Sequence, residues 1–167
     1  MRTASEMMVV TASGAMYQNS ARSRTNHAIT LGDALCRNNV PRRPTFINCC
    51  GAPDRTGRYV LACWRIQAHA TPPDGDGATM RVKAFETADL TKANGARRPA
   101  GHERLAQVAA IAAGAPAVVL LGYDPAGGRK PTKTWRITEA DAEQPWRVVG
   151  ITPPDDDGVT WARLARF

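Results

Sequence analysis

A chain of 167 residues with 43% hydrophobic and 22% charged side chains is long enough to bury its own core and too moderately charged to be disordered throughout. No run approaches the roughly 18 apolar residues of a membrane span, so no membrane partner is expected. The net charge of +7 points instead to an anionic partner.

That charge is uneven. Residues 1–70 hold nine Arg and no Lys against three acids, while the remainder is nearly balanced. Eighteen of the 22 basic residues are Arg, whose planar fork pairs bidentately with phosphate or guanine edges. The rival reading is a GC-rich coding bias, which would raise Arg, Ala, Gly and Pro together whatever the function; in neither case does the charge speak of fold.

Residues 1–26 carry only a four-residue apolar patch, too short for a signal-peptide core, and read as a flexible N-terminal arm. A single α+β domain is expected over 27–167. Thr30 ahead of 31-LGDALCRNN-39 predicts a short capped helix, with Asp33 bonding back and Asn38 or Asn39 ending it. The segment 41-PRRP-44 reads as extended. Alternation over 59-YVLACWRIQAHA-70 and 79-TMRVKAF-85 predicts two strands joined as a hairpin, with one face wet and basic. Residues 86–101, with Asn94-Gly95 and Pro99, read as a mobile loop.

A second helix is expected over 102-HERLAQVAAIAAG-114, with an apolar stripe of Leu105, Val108, Ala109 and Ala112. The uniformly apolar 117-AVVLLGY-123 suits a central strand buried on both faces. Further strands are expected at 134–138, 146–151 and 159–167. The predicted fold is therefore α+β: a mostly antiparallel sheet or partly closed barrel of about six strands with two short helices.

The stretch 122-GYDPAGGRKPTKTW-135 has the Gly122/Gly127 spacing of a phosphate loop. It lacks the Lys-Ser/Thr that such a loop needs at once, and Pro131 argues against a helix starting there. A basic glycine-hinged loop lying along a nucleic-acid backbone fits better. Arg129, Lys130 and Lys133 would reach phosphates, and Tyr123 and Trp135 offer faces for stacking. The doublets Arg42/Arg43 and Arg97/Arg98 fall in predicted loops, where no intrahelical acid explains them.

Asp124, His102 and Glu139 are weak catalytic candidates. No Asp-x-Lys or Glu-x-Lys follows to complete a metal-dependent nuclease site. His102-Glu103 lacks the second histidine of a zinc protease. Cys36, Cys49, Cys50 and Cys63 with His27 and His69 show no Cys-x-x-Cys knuckle, so no metal is assigned. Nothing in the cysteine pattern needs a disulfide framework, and a reduced, cytoplasmic compartment is expected.

The composite expectation is a nucleic-acid-binding domain, DNA ahead of RNA, with no cofactor. Arg42, Arg43, Arg97, Arg98, Arg129, Lys130 and Lys133 would contact phosphates, and Tyr123 and Trp135 would stack. Recognition of unusual or modified DNA is compatible with such a surface. The rival readings are a metal-dependent enzyme acting on nucleic acid or a phosphorylated substrate, and a protein-interaction module or assembly subunit whose Arg-rich half faces an acidic partner.

Overall fold

In chain order the elements are β1 (Ala28–Thr30), α1 (Leu31–Arg37), β2 (Ala52–Pro53), β3 (Tyr59–Trp64), β4 (Ala68–Ala70), β5 (Met80–Glu86), α2 (Pro99–Ala112), β6 (Ala117–Gly122), β7 (Arg136–Thr138), α3 (Glu139–Glu143), β8 (Trp146–Ile151) and β9 (Val159–Ala165). They come from a computed structural model that describes residues 27–41, 51–72, 75–125 and 135–166. The expected arm over 1–26 lies outside the described residues, as do Arg42, Arg43, Arg129, Lys130 and Lys133.

The class is mixed α and β, with mostly antiparallel pairing. A seven-stranded sheet runs β2-β3-β6-β8-β9-β5-β4, and β1 and β7 form a separate antiparallel pair. Every residue of β6 is buried, as its unbroken apolar run requires. Its neighbour β3 is buried on both faces as well. Leu61 and Cys63 join one core with Val119 and Leu121, while Val60 joins a second core with Val118 and Leu120. Helix α2 covers the first core through Val108 and Ile111. Helices α1 and α3 and the β1–β7 pair cover the second through Leu35, Ala142, Ile29 and Ile137. Each fully buried Leu, Ile or Val is worth about 1.5–3 kcal/mol, so this two-sided pair carries much of the stability.

Several expectations need correction. The run 59–70 is not one strand: a 3₁₀ turn at Arg65–Gln67 breaks it. Of that run, β4 alone pairs with β5, antiparallel, whereas β3 pairs in parallel with β6. Neither face of β3 is wet. The sheet is not closed into a barrel, but it curls enough to bring β3 against β5, although three strands lie between them in the sheet order. In β5 the alternation fails at a bulge between Lys83 and Phe85, so Ala84 and Phe85 are both buried. The described residues hold nine strands and three helices rather than about six and two.

Helix α1 begins as predicted: the Asp33 amide donates to Thr30 Oγ1 at 3.1 Å, and Thr30 Oγ1 donates to Asp33 Oδ2 at 2.7 Å. The same device opens the unpredicted α3, where the Asp141 amide donates to Thr138 Oγ1 at 3.1 Å.

Asp54 organises the turn between β2 and β3. It is 7% exposed. Its Oδ1 accepts from the Thr56 amide at 2.8 Å, the Thr56 hydroxyl at 2.6 Å and the Arg58 amide at 3.0 Å, and its Oδ2 accepts from Arg58 Nε at 2.9 Å. Burial alone would raise the carboxyl pKa, but the bonds from Thr56 and Arg58 outweigh it and hold the group below its ordinary value. The stability this contributes is fully present above the unfolded carboxyl pKa of about 3.9 and is lost as pH falls through the lower folded value. Asp54→Asn is expected to cost about 2 kcal/mol at pH 7 in urea denaturation. That deficit should shrink as the wild type is acidified below pH ~4. A deficit that stays constant to low pH would show that the charge contributes nothing.

Candidate functional site

Where β3 and β5 approach without bonding, the curled sheet leaves a cleft of about 730 Å³. Ligand clefts typically run ~300–1,000 Å³. Ala62, Cys63 and Trp64 at the end of β3 form one wall, and Ala84 and Phe85 of β5 form another. Trp135 enters from the segment after β6. The first turn of α2, Pro99–Gly101, closes one end, and Arg104 on the next turn lines it too. Lys92 and Arg98 border the cleft, with Gln67, Lys83 and Asp89 completing its polar rim.

Local sequence explains this geometry. Trp64 pairs with Gly122 across the parallel β3–β6 register. The Trp135 ring lies over Gly122 so closely that a Cβ there would meet Trp135 Cε3 at 2.1 Å. Trp135 in turn stacks on Trp64, with ring centroids 3.7 Å apart. Gly122, which ends the apolar run of β6 and is singled out in the sequence by its spacing from Gly127, is thus the seat of an aromatic pair.

The segment read as a mobile loop, 86–101, is ordered. A 3₁₀ turn spans Thr87–Leu90, a bridge joins Thr91 to Arg97, and the Lys92 amide donates to the Ala96 carbonyl at 2.7 Å. This small hairpin presents Lys92, Arg97 and Arg98. Helix α2 begins at Pro99, not at His102, because proline suits the first helical position. A Cβ on Gly101 would lie 1.9 Å from the Asp89 carbonyl oxygen, so only glycine lets the helix start so close to the 3₁₀ turn.

The buried face of α2 is not the expected one. Gly101, Arg104, Gln107, Val108 and Ile111 face inward, while Leu105 is 39% exposed. Arg104 is only 9% exposed. Its Nη2 donates to the Ala62 carbonyl at 2.6 Å, and its Nη1 has no partner among the described residues. Gln107 Nε2 donates to the Gly51 carbonyl at 3.1 Å. A guanidinium withdrawn from water without a carboxylate costs several kcal/mol, which an anion entering the cleft would offset.

The lining carries Lys83, Lys92, Arg98 and Arg104 against Asp89 alone. Lys83 is already paired with Glu86 at 2.6 Å, which leaves Lys92, Arg98 and Arg104 as the cationic set. A site with this set and an aromatic wall can hold a planar group that bears an oxyanion.

Of the residues singled out from sequence, the cleft brings together Arg98 and Trp135, with exposed Arg97 next to Arg98. Trp135 is 9% exposed and shares its ring with Trp64. Tyr123 is bridged to Arg136, has the Arg65 guanidinium 6.0 Å from its ring centroid, and does not line the cleft. The three catalytic candidates are not assembled there. His102 lies on α2. Glu139 opens α3 on the opposite side of the β3–β6 pair, where it meets Arg37 at 3.1 Å and His27 at 3.6 Å. Asp124 follows β6 and is half-buried. Among the described residues no three His, Cys, Asp or Glu side chains gather to hold a metal ion, and Cys36 and Cys63 are not in disulfides.

Sequence reasoning missed Arg104 and Lys92. The signal for Arg104 was its spacing from Gly101, Val108 and Ile111, which puts a cation on the helix face that packs. No family model matches the chain, and neither a curated protein nor a solved structure does.

Gly122→Ala is expected to force Trp135 off Trp64, at a cost of about 1–3 kcal/mol from overpacking. Urea denaturation reads the loss, and near-ultraviolet circular dichroism reads the broken pair. Unchanged values in both would place Trp135 elsewhere.

Proposed function

We propose that this chain is a nucleic-acid-binding domain, with DNA ahead of RNA, and that the cleft between β3, β5 and α2 is where a phosphate is held. The observation that carries the reading is Arg104: a cation nine-tenths buried, one nitrogen unpartnered among the described residues, in a cleft walled by Trp64, Phe85 and Trp135. A structural arginine would be expected to end on a carboxylate. Arg65 and Arg166 do so, on the buried Asp141. Arg104 is held only by a carbonyl, so its positive charge remains for something that enters.

Lys92 and Arg98 extend the charge outward from the cleft, and Arg97 adds to it at the surface. Exposed cations of this kind release counterions when they meet a phosphate backbone. Phosphate contacts position a partner without reading its sequence, and the aromatic wall adds base stacking that every base can satisfy. Among the described residues no helix is long and apolar enough to cross a membrane. A cytoplasmic location and a role in reading unusual or modified DNA belong to the same proposal.

The test is fluorescence anisotropy with labelled single-stranded DNA, duplex DNA and RNA, at low and near-physiological salt. Binding should weaken steeply with salt, and Lys92→Ala or Arg98→Ala should each lower the logarithmic salt slope by about 1. Arg104→Met should weaken binding by about tenfold or more, the loss of a charged hydrogen bond. It should leave the fold at or above wild-type stability, because replacing a buried charge with an apolar side chain is often neutral or stabilising by ~1–4 kcal/mol. Absence of binding to all three probes at low salt would overturn the proposal.

A further inference from the structure

We infer that the cleft is a single-nucleotide pocket, so that this chain engages an unpaired nucleotide, out of the base stack or at a strand end, rather than the backbone of an intact duplex. The inference rests on the reading of the cleft as a phosphate site and names what enters it.

Accessibility is the first argument. Arg104 lies on the inward face of α2 and exposes only 9% of its surface. A phosphate on the rail of a paired duplex is flanked by sugars and bases that cannot follow it into a cleft. Such a phosphate can meet Lys92 and Arg98 at the rim and no more. Only a group free of its pairing partner and neighbours can project far enough to reach the buried guanidinium.

Chemistry is the second. The interior joins one deep cation to an aromatic wall of Trp64, Trp135 and Phe85. Bare phosphate has no use for the wall, and an uncharged base has no use for Arg104. A nucleoside monophosphate uses both, its base against the rings and its phosphate toward Arg104. Gln67 and Asp89 at the rim supply an amide and a carboxylate, the donor and acceptor types that read an exposed base edge. The volume of about 730 Å³ admits a nucleotide-sized group and is far too small for a duplex segment.

Architecture is the third. The opening exists because β3 and β5 approach without closing the sheet, and glycines at 101 and 122 hold its two ends in place. Asp89 and Trp135 lie where any larger residue at 101 or 122 would have its Cβ. The shape is therefore set by packing that does not depend on what occupies it.

The test compares two duplexes that differ only by one unpaired bulged nucleotide, with single-stranded DNA alongside. A second arm measures calorimetric binding of a nucleoside 5′-monophosphate, the matching nucleoside and inorganic phosphate. The bulged duplex should bind about tenfold tighter than the paired one, and the monophosphate should bind about tenfold tighter than either of its parts and displace single-stranded DNA. Arg104→Lys should remove the advantage of the monophosphate over the nucleoside while a thermal melt shows the fold intact. Trp64→Leu should instead weaken the monophosphate and the nucleoside together. Equal affinity for paired and bulged duplexes, with no displacement by the monophosphate, would overturn this inference and leave nucleic-acid binding standing. Binding of the monophosphate with no binding of any polynucleotide would overturn both.

Discussion

The parallel pairing of β3 with β6 is the constraint on which the rest depends. Two adjacent strands whose side chains are buried on both faces require a covering layer on each side. Helix α2 supplies one, and α1, α3 and the β1–β7 pair supply the other. The connection between the two strands must be long, because a parallel neighbour cannot be reached by a tight turn. That connection contains β4, β5 and the whole of α2, and so delivers two walls of the cleft. Both strands also end at the same place, Trp64 beside Gly122, and the carboxyl ends of parallel strands are where clefts form in open sheets.

The arginines divide into two classes by what they meet. Asp141 is buried and receives Arg65, Arg166 at 2.6 Å and the Thr138 hydroxyl at 3.0 Å, so every charge in that cluster is answered. Arg166 also covers the Trp146 ring, its guanidinium carbon 4.0 Å from the centroid. These contacts tie the 3₁₀ turn after β3 and the strand end at 166 to α3. Arg104 is the exception: it is buried, where the Arg65 and Arg166 side chains are 48% and 41% exposed, yet it is answered only by a carbonyl. Folded proteins retain uncompensated groups of this kind at sites where a partner supplies the compensation.

Local features were legible in the sequence. The apolar run of β6, the Thr30 cap of α1 and the strands expected near 134–138, 146–151 and 159–167 could be read because each signal is carried within a few residues. The pairing of β3 with β6 could not, since alternation in 59–70 is the same for a half-wet strand and for one buried on both faces among small residues such as Ala62 and Cys63. Helix α2 was read by hydrophobicity, which favoured Leu105, Ala109 and Ala112; packing chose the face with Gly101 because the Asp89 carbonyl tolerates no side chain there. The polar residues of that face then satisfy backbone carbonyls, a consequence of tertiary geometry that no periodicity records. Arg98 and Trp135 were named from composition and loop position, whereas Arg104 was concealed by its place inside a helix. Thr138 and Asp141 repeat the spacing of Thr30 and Asp33, so α3 was available to the same reasoning that found α1.

The depth of a cation decides what it contributes. Exposed charges such as Arg97 and Lys92 act through a field that salt screens within about 8 Å at physiological ionic strength. On the proposed reading they would gather an anionic polymer and orient it, with their greatest effect on the rate of encounter. A buried guanidinium is screened far less and acts only on a group that has already entered, so its effect falls on retention and on selection of what fits. The cleft combines the two in series, with Lys92 and Arg98 at the mouth and Arg104 within. An arrangement of this kind separates affinity for any phosphate chain, which varies with salt, from preference for a particular nucleotide state, which does not. The fold carries the cost of one unanswered charge, and on the proposed reading that charge would gain discrimination that a surface patch of equal net charge could not provide.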